Sequence, residues 1–200
     1  MHAVPQPPDT RTRLHRAATH LISREGPGAS VRAIARHAGV TEGALYRHYD
    51  SREDLLGAVF AELIEPMVTE KQMLVEMRAP IRDRLREWIR CTYARFDTDP
   101  DAFAYVFLTD HDFPRQYARL AGLQRSMLRS LLVQARNEGL LGSLSEDLAA
   151  TLFVGLLLSV PEGIRAGKLP KPALQYVDHV AQAVWCTLNP PIDTPAAPPS

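Results

Sequence analysis

Between Thr41 and Arg52 the chain reads Thr-Glu-Gly-Ala-Leu-Tyr-Arg-His-Tyr-Asp-Ser-Arg. Several of these side chains can grip flat or anionic partners. The guanidinium of Arg47 is a planar fork that matches the two acceptors on the edge of a guanine, and it fits a phosphate equally well. Glu42 can accept from a cytosine amino group, Thr41 can donate or accept, and Ala44 can lie against a thymine methyl. Gly43 has no side chain to read with, but it lets the backbone come close to whatever is read.

Those residues need a frame, and the stretch Ser30–Leu56 supplies one. Val31, Ile34, Ala35 and Ala38 fall at i, i+3, i+4 and i+7, one face of a short helix. Ser30 stands where a hydroxyl accepts from the unpaired amides of a first turn. Gly39 ends the helix, because glycine takes a left-handed conformation with little penalty. Val40 plugs the turn, and Thr41 is a second N-cap, opening a helix over Glu42–Tyr49. Leu45 and Tyr49, four apart, turn inward with Val40. Two short helices joined by a tight turn form the helix-turn-helix arrangement, whose second helix enters the major groove of duplex DNA. Spacing alone also admits an ordinary helical hairpin with a solvated polar face. The amides near Ser30 and Arg32, at a helix start, suit a phosphate.

The segment ARHAGVTEGALYRHYDSREDLL resembles the DNA-binding signature of the tetracycline-repressor (TetR) family of one-component regulators. The likeness rests on Ala38-Gly39-Val40, Leu45-Tyr46, Tyr49 and Leu55-Leu56, and it covers residues 10 to 65. It departs at Tyr49, where the family more often has Phe, and at Arg52, where it usually has Lys. The resemblance implies that Tyr46, His48 and Arg52 grip phosphates, and a phenol, an imidazole and a cation suit that task. Tyr49 falls within the same segment and joins the DNA-contacting candidates, although its spacing from Leu45 turns it inward. The resemblance further implies a homodimer on a palindromic operator and a C-terminal domain that binds a small effector.

Lys+Arg equals Asp+Glu at 23 each, so the 200-residue chain has no net charge, unlike a protein that coats nucleic acid non-specifically. The first 60 residues hold eight Arg against six acids and five of the seven His. Two cysteines, Cys91 and Cys186, make neither a disulfide framework nor a zinc pattern, and a reducing cytoplasm is the simplest setting. No signal peptide is legible and no apolar run is long enough to span a bilayer, so no membrane partner is expected. No cofactor motif and no metal motif occur. Asp110-His111-Asp112 reads as a polar helix end, since consecutive residues on a helix point different ways.

The expected fold is all-α. Residues 1–9 form an arm, 10–56 the three-helix DNA-binding domain, 57–189 a helical effector-binding and dimerisation domain, and 190–200 a proline-rich tail. The first helix runs from Thr10 to Glu25. Ser51 caps a longer helix that Pro66 should kink or break. Further helices are expected over 81–97, 115–138, 145–165 and 172–188, with a short aromatic segment over 103–110 and a distortion at Pro161.

Aromatic and methionine side chains suit an adaptable apolar pocket, and Phe60, Met67, Trp88, Tyr93, Phe96, Phe103, Phe107 and Met127 are the ligand candidates, although core packing explains each as well. Leu152, Leu156, Val177, Val184 and Leu188, on the last two helices, are the dimer candidates, with an intramolecular core as the alternative. A helical enzyme or adaptor with an incidental helix-turn-helix is the competing reading. A polypeptide of this kind would enrich no palindrome from random duplex fragments.

Overall fold

A computed structural model of the chain describes residues 9–109 and 115–189. The arm over 1–8, the tail over 190–200 and the Asp110-His111-Asp112 cluster lie outside the described residues. Among those described, all regular structure is helical: α1 (Thr10–Glu25), α2 (Val31–His37), α3 (Glu42–Leu45), α4 (Arg52–Glu76), α5 (Ile81–Thr98), α6 (Pro100–Phe107), α7 (Arg115–Asn137), α8 (Glu146–Arg165) and α9 (Val177–Leu188). A 3-10 turn, Ala173–Tyr176, precedes α9.

Local chemistry sets most of these starts. Asp9 accepts from the Thr12 amide at 2.7 Å, Ser30 from Ala33 at 3.1 Å, Thr41 from Ala44 at 3.1 Å and Ser51 from Asp54 at 3.0 Å. Asp99 caps α6 and Ser145 caps α8 in the same way. Each satisfies an amide that the helix cannot pair internally.

Two expectations are corrected. Regular helix in α3 stops at Leu45 rather than Tyr49, and residues 46–48 continue as turns, with the Tyr49 amide still bonded to the Leu45 carbonyl at 3.1 Å. Pro66 does not break its helix, since α4 runs through it, whereas α8 runs through Pro161 to Arg165 as expected. Proline costs about 3 kcal/mol in a helix interior. Burial of Ile64, Met67 and Leu74 along α4, and of Val160, Pro161 and Ile164 along α8, opposes that cost.

The described residues form two compact units that do not follow a single cut in the chain. Unit 1 takes residues 9–68, 98–109 and 115–122; unit 2 takes 69–97 and 123–189. In unit 1 the apolar face of α1 (Leu14, Ala17, Ala18, Ile22) packs with Ile34, Ala35 and Leu45 of α2 and α3. Leu55, Val59, Phe60 and Ile64 of α4 and Tyr105 of α6 complete this core. The Tyr105 hydroxyl donates to the Leu56 carbonyl at 2.8 Å, so the buried phenol is satisfied. Gly57 of α4 is covered by the Tyr117 ring of α7, where a Cβ would stand 2.0 Å from the ring.

Unit 2 buries Leu85, Trp88, Ile89 and Phe96 of α5 with Leu131 and Leu132 of α7, Phe153 and Leu157 of α8, and Val180 and Val184 of α9. The Trp88 and Phe153 rings meet edge to face at 6.3 Å. Asp97 accepts from the Ala173 and Leu174 amides at 2.7 and 2.9 Å, closing the start of the 3-10 turn.

Candidate nucleic-acid interface

The turn between α2 and α3 is built as its residues require. Gly39 has φ of +67°, a region that side-chain-bearing residues rarely adopt, and the Val40 amide returns to the Ala35 carbonyl at 3.0 Å. Ile34 and Leu45 are fully buried beneath it. With that face occupied, the polar residues of the segment point outward. Ser30, Arg32, Thr41, Glu42, Gly43, Arg47 and His48 are exposed, Ala44 is half-buried, and Tyr46 keeps 51% of its surface in solvent. Arg36 and His37, at the end of α2, are exposed beside them. The result is one capped helix pair with most of its polar side chains on the solvent side.

Two members of the expected set are placed otherwise. Tyr49 is 5% exposed and belongs to the core of unit 1, so it is removed from the DNA-contacting candidates. Its hydroxyl lies 2.6 Å from His15 Nε2, and His15 Nδ1 lies 2.6 Å from Glu62 Oε2. With the ring neutral, Nδ1–H donates to the Glu62 carboxylate and Nε2 accepts from the Tyr49 hydroxyl. Arg52 is half-buried, and its guanidinium is engaged by the loop before α2: Nε donates to the Ala29 carbonyl at 3.0 Å and Nη2 to the Pro27 carbonyl. It holds the start of α2 in place, with Glu53 3.6 Å from its other nitrogen.

His15 was not among the expected residues. Its signal was present in the sequence: it shares the inward stripe of α1 with Ala18 and Ile22 at helical spacing. The His15 imidazole ties α1 to the segment after α3, through Tyr49, and to α4, through Glu62. Burial lowers its pKa from the ordinary 6.5, and the neighbouring Glu62 carboxylate opposes that shift. Burial likewise raises the Tyr49 phenol above its usual range. On the same helix His20 pairs with Asp101 at 2.9 Å and stacks on His37 at 5.1 Å between ring centres.

The expected ligand residues divide between the units. Phe60, Met67, Phe103 and Phe107 belong to unit 1, where the Phe103 and Phe107 rings lie 4.7 Å apart; Trp88, Tyr93, Phe96 and Met127 belong to unit 2. All but Phe107 and Met127 are buried. A cavity of about 310 Å³ in unit 1 is lined by none of the eight, but by His15, His20, Val59, Glu62, Leu63 and Asp101 among others. The dimer candidates are corrected in part. Val177, Val184 and Leu188 are 4%, 1% and 2% exposed, so they belong to the chain's own core, whereas Leu152 and Leu156 are half-buried. The apolar surface left open on α8 is at Leu148 and Val154, at 46% and 39% exposed.

Among the described residues, unit 1 presents a capped helix-turn-helix, the motif whose second helix enters a groove of duplex DNA. Residues 14–59 match the model of the bacterial regulatory proteins of the tetR family. The HTH-type transcriptional regulator TtgW of Pseudomonas putida is 40% identical over 60 residues, covering 30% of this chain and 45% of that protein. The matches span less than half the length of the curated relatives. In fold the likeness runs nearly end to end. The regulator FadR from Bacillus subtilis, solved with stearoyl-CoA, superposes with a TM-score of 0.72 at 16% identity, covering 89% of this chain and 99% of that one. AibR, solved with isovaleryl coenzyme A and operator DNA, gives 0.71 at 20% identity, covering 92% and 100%. Over residues 14–59 this chain is similar to the DNA-binding region of the tetR family.

Proposed function

We propose that the chain is a sequence-specific, DNA-binding transcriptional regulator of repressor type, acting as a homodimer on a palindromic operator and released by a small apolar effector. The exposed array from Thr41 to His48, set on a capped helix pair over buried Ile34 and Leu45, is the observation that carries the reading. Arg32, Tyr46 and His48 hold phosphates and fix the register; Thr41, Glu42, Ala44 and Arg47 meet base edges. Arg52 acts one step back, by fixing the loop that starts α2.

A single module of this size binds weakly, and two of them one helical turn apart add specificity. The supporting surface is α8. It is long and apolar enough to cross a membrane by composition alone, yet only 33% of its apolar window is buried within the chain. A second copy laid on Leu148, Leu152, Val154 and Leu156 covers that face, and Gly155 and Ser159, both exposed, let the helices approach closely.

The effector acts by population shift: it binds better to a dimer whose readers are wrongly spaced for the operator, and it shifts the balance only by that difference in affinity. Helices α4 and α7 each contribute residues to both units, so the chain itself connects effector and reader. The acyl-CoA complexes of FadR and AibR favour an acyl compound as the effector class.

Selection of random genomic duplex fragments on the purified chain tests the reading. Enrichment of one palindrome supports it. Retention without sequence preference, or none, overturns it and favours an adaptor or an enzyme.

A further inference from the structure

Lys71, in the unit 2 part of α4, has 2% of its surface exposed. Its ammonium donates to the Trp88 carbonyl at 2.9 Å and to the Thr92 hydroxyl at 3.0 Å. Thr92 in turn donates to the same carbonyl at 2.8 Å, so the three groups close a triangle. The nitrogen also stands 5.0 Å from the centre of the Trp88 ring. Among the described residues no carboxylate lies within ion-pair distance of it. The two acids whose charge acts on it are engaged elsewhere: Glu70 pairs with Arg95, and Glu87 with Arg90.

A buried charge is ordinarily matched by an opposite one, because two neutral hydrogen bonds do not replace the hydration it has lost. Unit 2 holds three further buried donors. Arg84 Nε, Tyr93 Oη and Gln124 Nε2 are buried without a partner among the described residues, and all three can donate. The buried donors of unit 2 thus outnumber the partners they find, and Trp88, beside Lys71, meets Phe153 edge to face.

We propose that Lys71, supported by Thr92, anchors the carboxylate of an apolar organic acid bound inside unit 2. The inference rests on the effector reading above and names the chemistry of that effector: an anionic head on an apolar body. Bound there, the carboxylate pairs the ammonium and supplies the acceptors that unit 2 lacks. Trp88 and Phe153 offer the acid's tail an edge-to-face aromatic wall.

The proposal has a signature that a purely structural lysine would lack. Burial lowers the Lys71 ammonium to about 8, with Cys91, Glu70, Glu87 and Arg95 as the titratable and charged groups around it. An added carboxylate raises it again. Binding at pH about 8.5 should therefore draw a proton from solution.

Isothermal titration of the full chain with decanoate and with decanol, in two buffers of different ionisation heat, reads both effects. Decanoate should bind at least about tenfold more tightly than decanol, with proton uptake. Lys71→Met should lose that preference and the uptake while leaving decanol unchanged. Decanoate binding no tighter than decanol, binding without proton uptake, or Lys71→Met binding decanoate as the wild type does would each overturn the assignment. The wild-type proton count stands even if the variant fails to fold. Enrichment of a palindrome without any carboxylate preference sinks the Lys71 assignment alone; carboxylate binding without an enriched palindrome sinks the regulator reading alone.

Discussion

Tyr46 and Tyr49 lie three residues apart and should respond in opposite ways to the loss of one oxygen. The Tyr49 hydroxyl is the donor that satisfies buried His15 Nε2 at 2.6 Å. Tyr49→Phe keeps the ring and its packing but leaves that nitrogen without a partner, at a cost of about 1–3 kcal/mol. For a chain of this length each kcal/mol lowers the midpoint of thermal unfolding by about 2–4 °C, so a fall of about 2–12 °C is expected. Operator affinity measured well below the midpoint should hardly change. Tyr46→Phe should do the reverse. Its side chain is half in solvent, so stability should move by less than about 0.5 kcal/mol. A lost hydrogen bond to phosphate should weaken operator binding by about 1.5–3 kcal/mol, roughly ten- to a hundredfold. Urea denaturation gives the first quantity and fluorescence anisotropy on the selected duplex the second. If Tyr49→Phe is as stable as wild type, or if it loses operator affinity while Tyr46→Phe does not, the division between buried support and exposed reader is refuted.

Three further outcomes follow from the same geometry. Arg47→Ala should cost about 1–3 kcal/mol on the operator and relax preference at one base position; a uniform loss across competitor sequences would place the side chain on a phosphate instead. His15 is neutral when folded, with its pKa held below 6.5, so the stability it contributes is fully present above that value and is lost as pH falls through the folded value. His15→Leu should therefore flatten the fall in urea midpoint between pH about 7 and about 5, and an unchanged slope would contradict the assignment. Val154→Glu, on the open face of α8, should give folded monomer in sedimentation. Val184→Glu, in the core of unit 2, should unfold the chain, and a dimeric Val154→Glu would remove α8 from the interface.

What was legible in the sequence was mostly local. Ser30, Thr41, Ser51 and Ser145 could be assigned as caps because a cap and its amide lie three residues apart. Gly39 was readable because its backbone angle excludes other residues. The exposure of Thr41, Glu42, Gly43, Arg47 and His48 followed from the same local frame. The errors arose where distant parts of the chain decide. Arg52 reads as a phosphate ligand until the Pro27 and Ala29 carbonyls come round to it from 25 and 23 residues away. Tyr49 is claimed by His15, 34 residues distant. On α9 the stripe Val177, Val184 and Leu188 is real, but periodicity cannot say whether a stripe faces its own core or another copy. Pro66 reads locally as a break, yet α4 continues through it, with Ile64, Met67 and Leu74 buried along its length.

In the proposed homodimer, two copies of this chain present their readers to one face of a duplex. Hydroxyl-radical footprinting of the fragment recovered by selection tests it most directly. Two protected patches about 10–10.5 base pairs apart, or a multiple of that, with Arg47→Ala weakening both together, is the predicted result. A single protected patch, or even protection along the fragment, would contradict it.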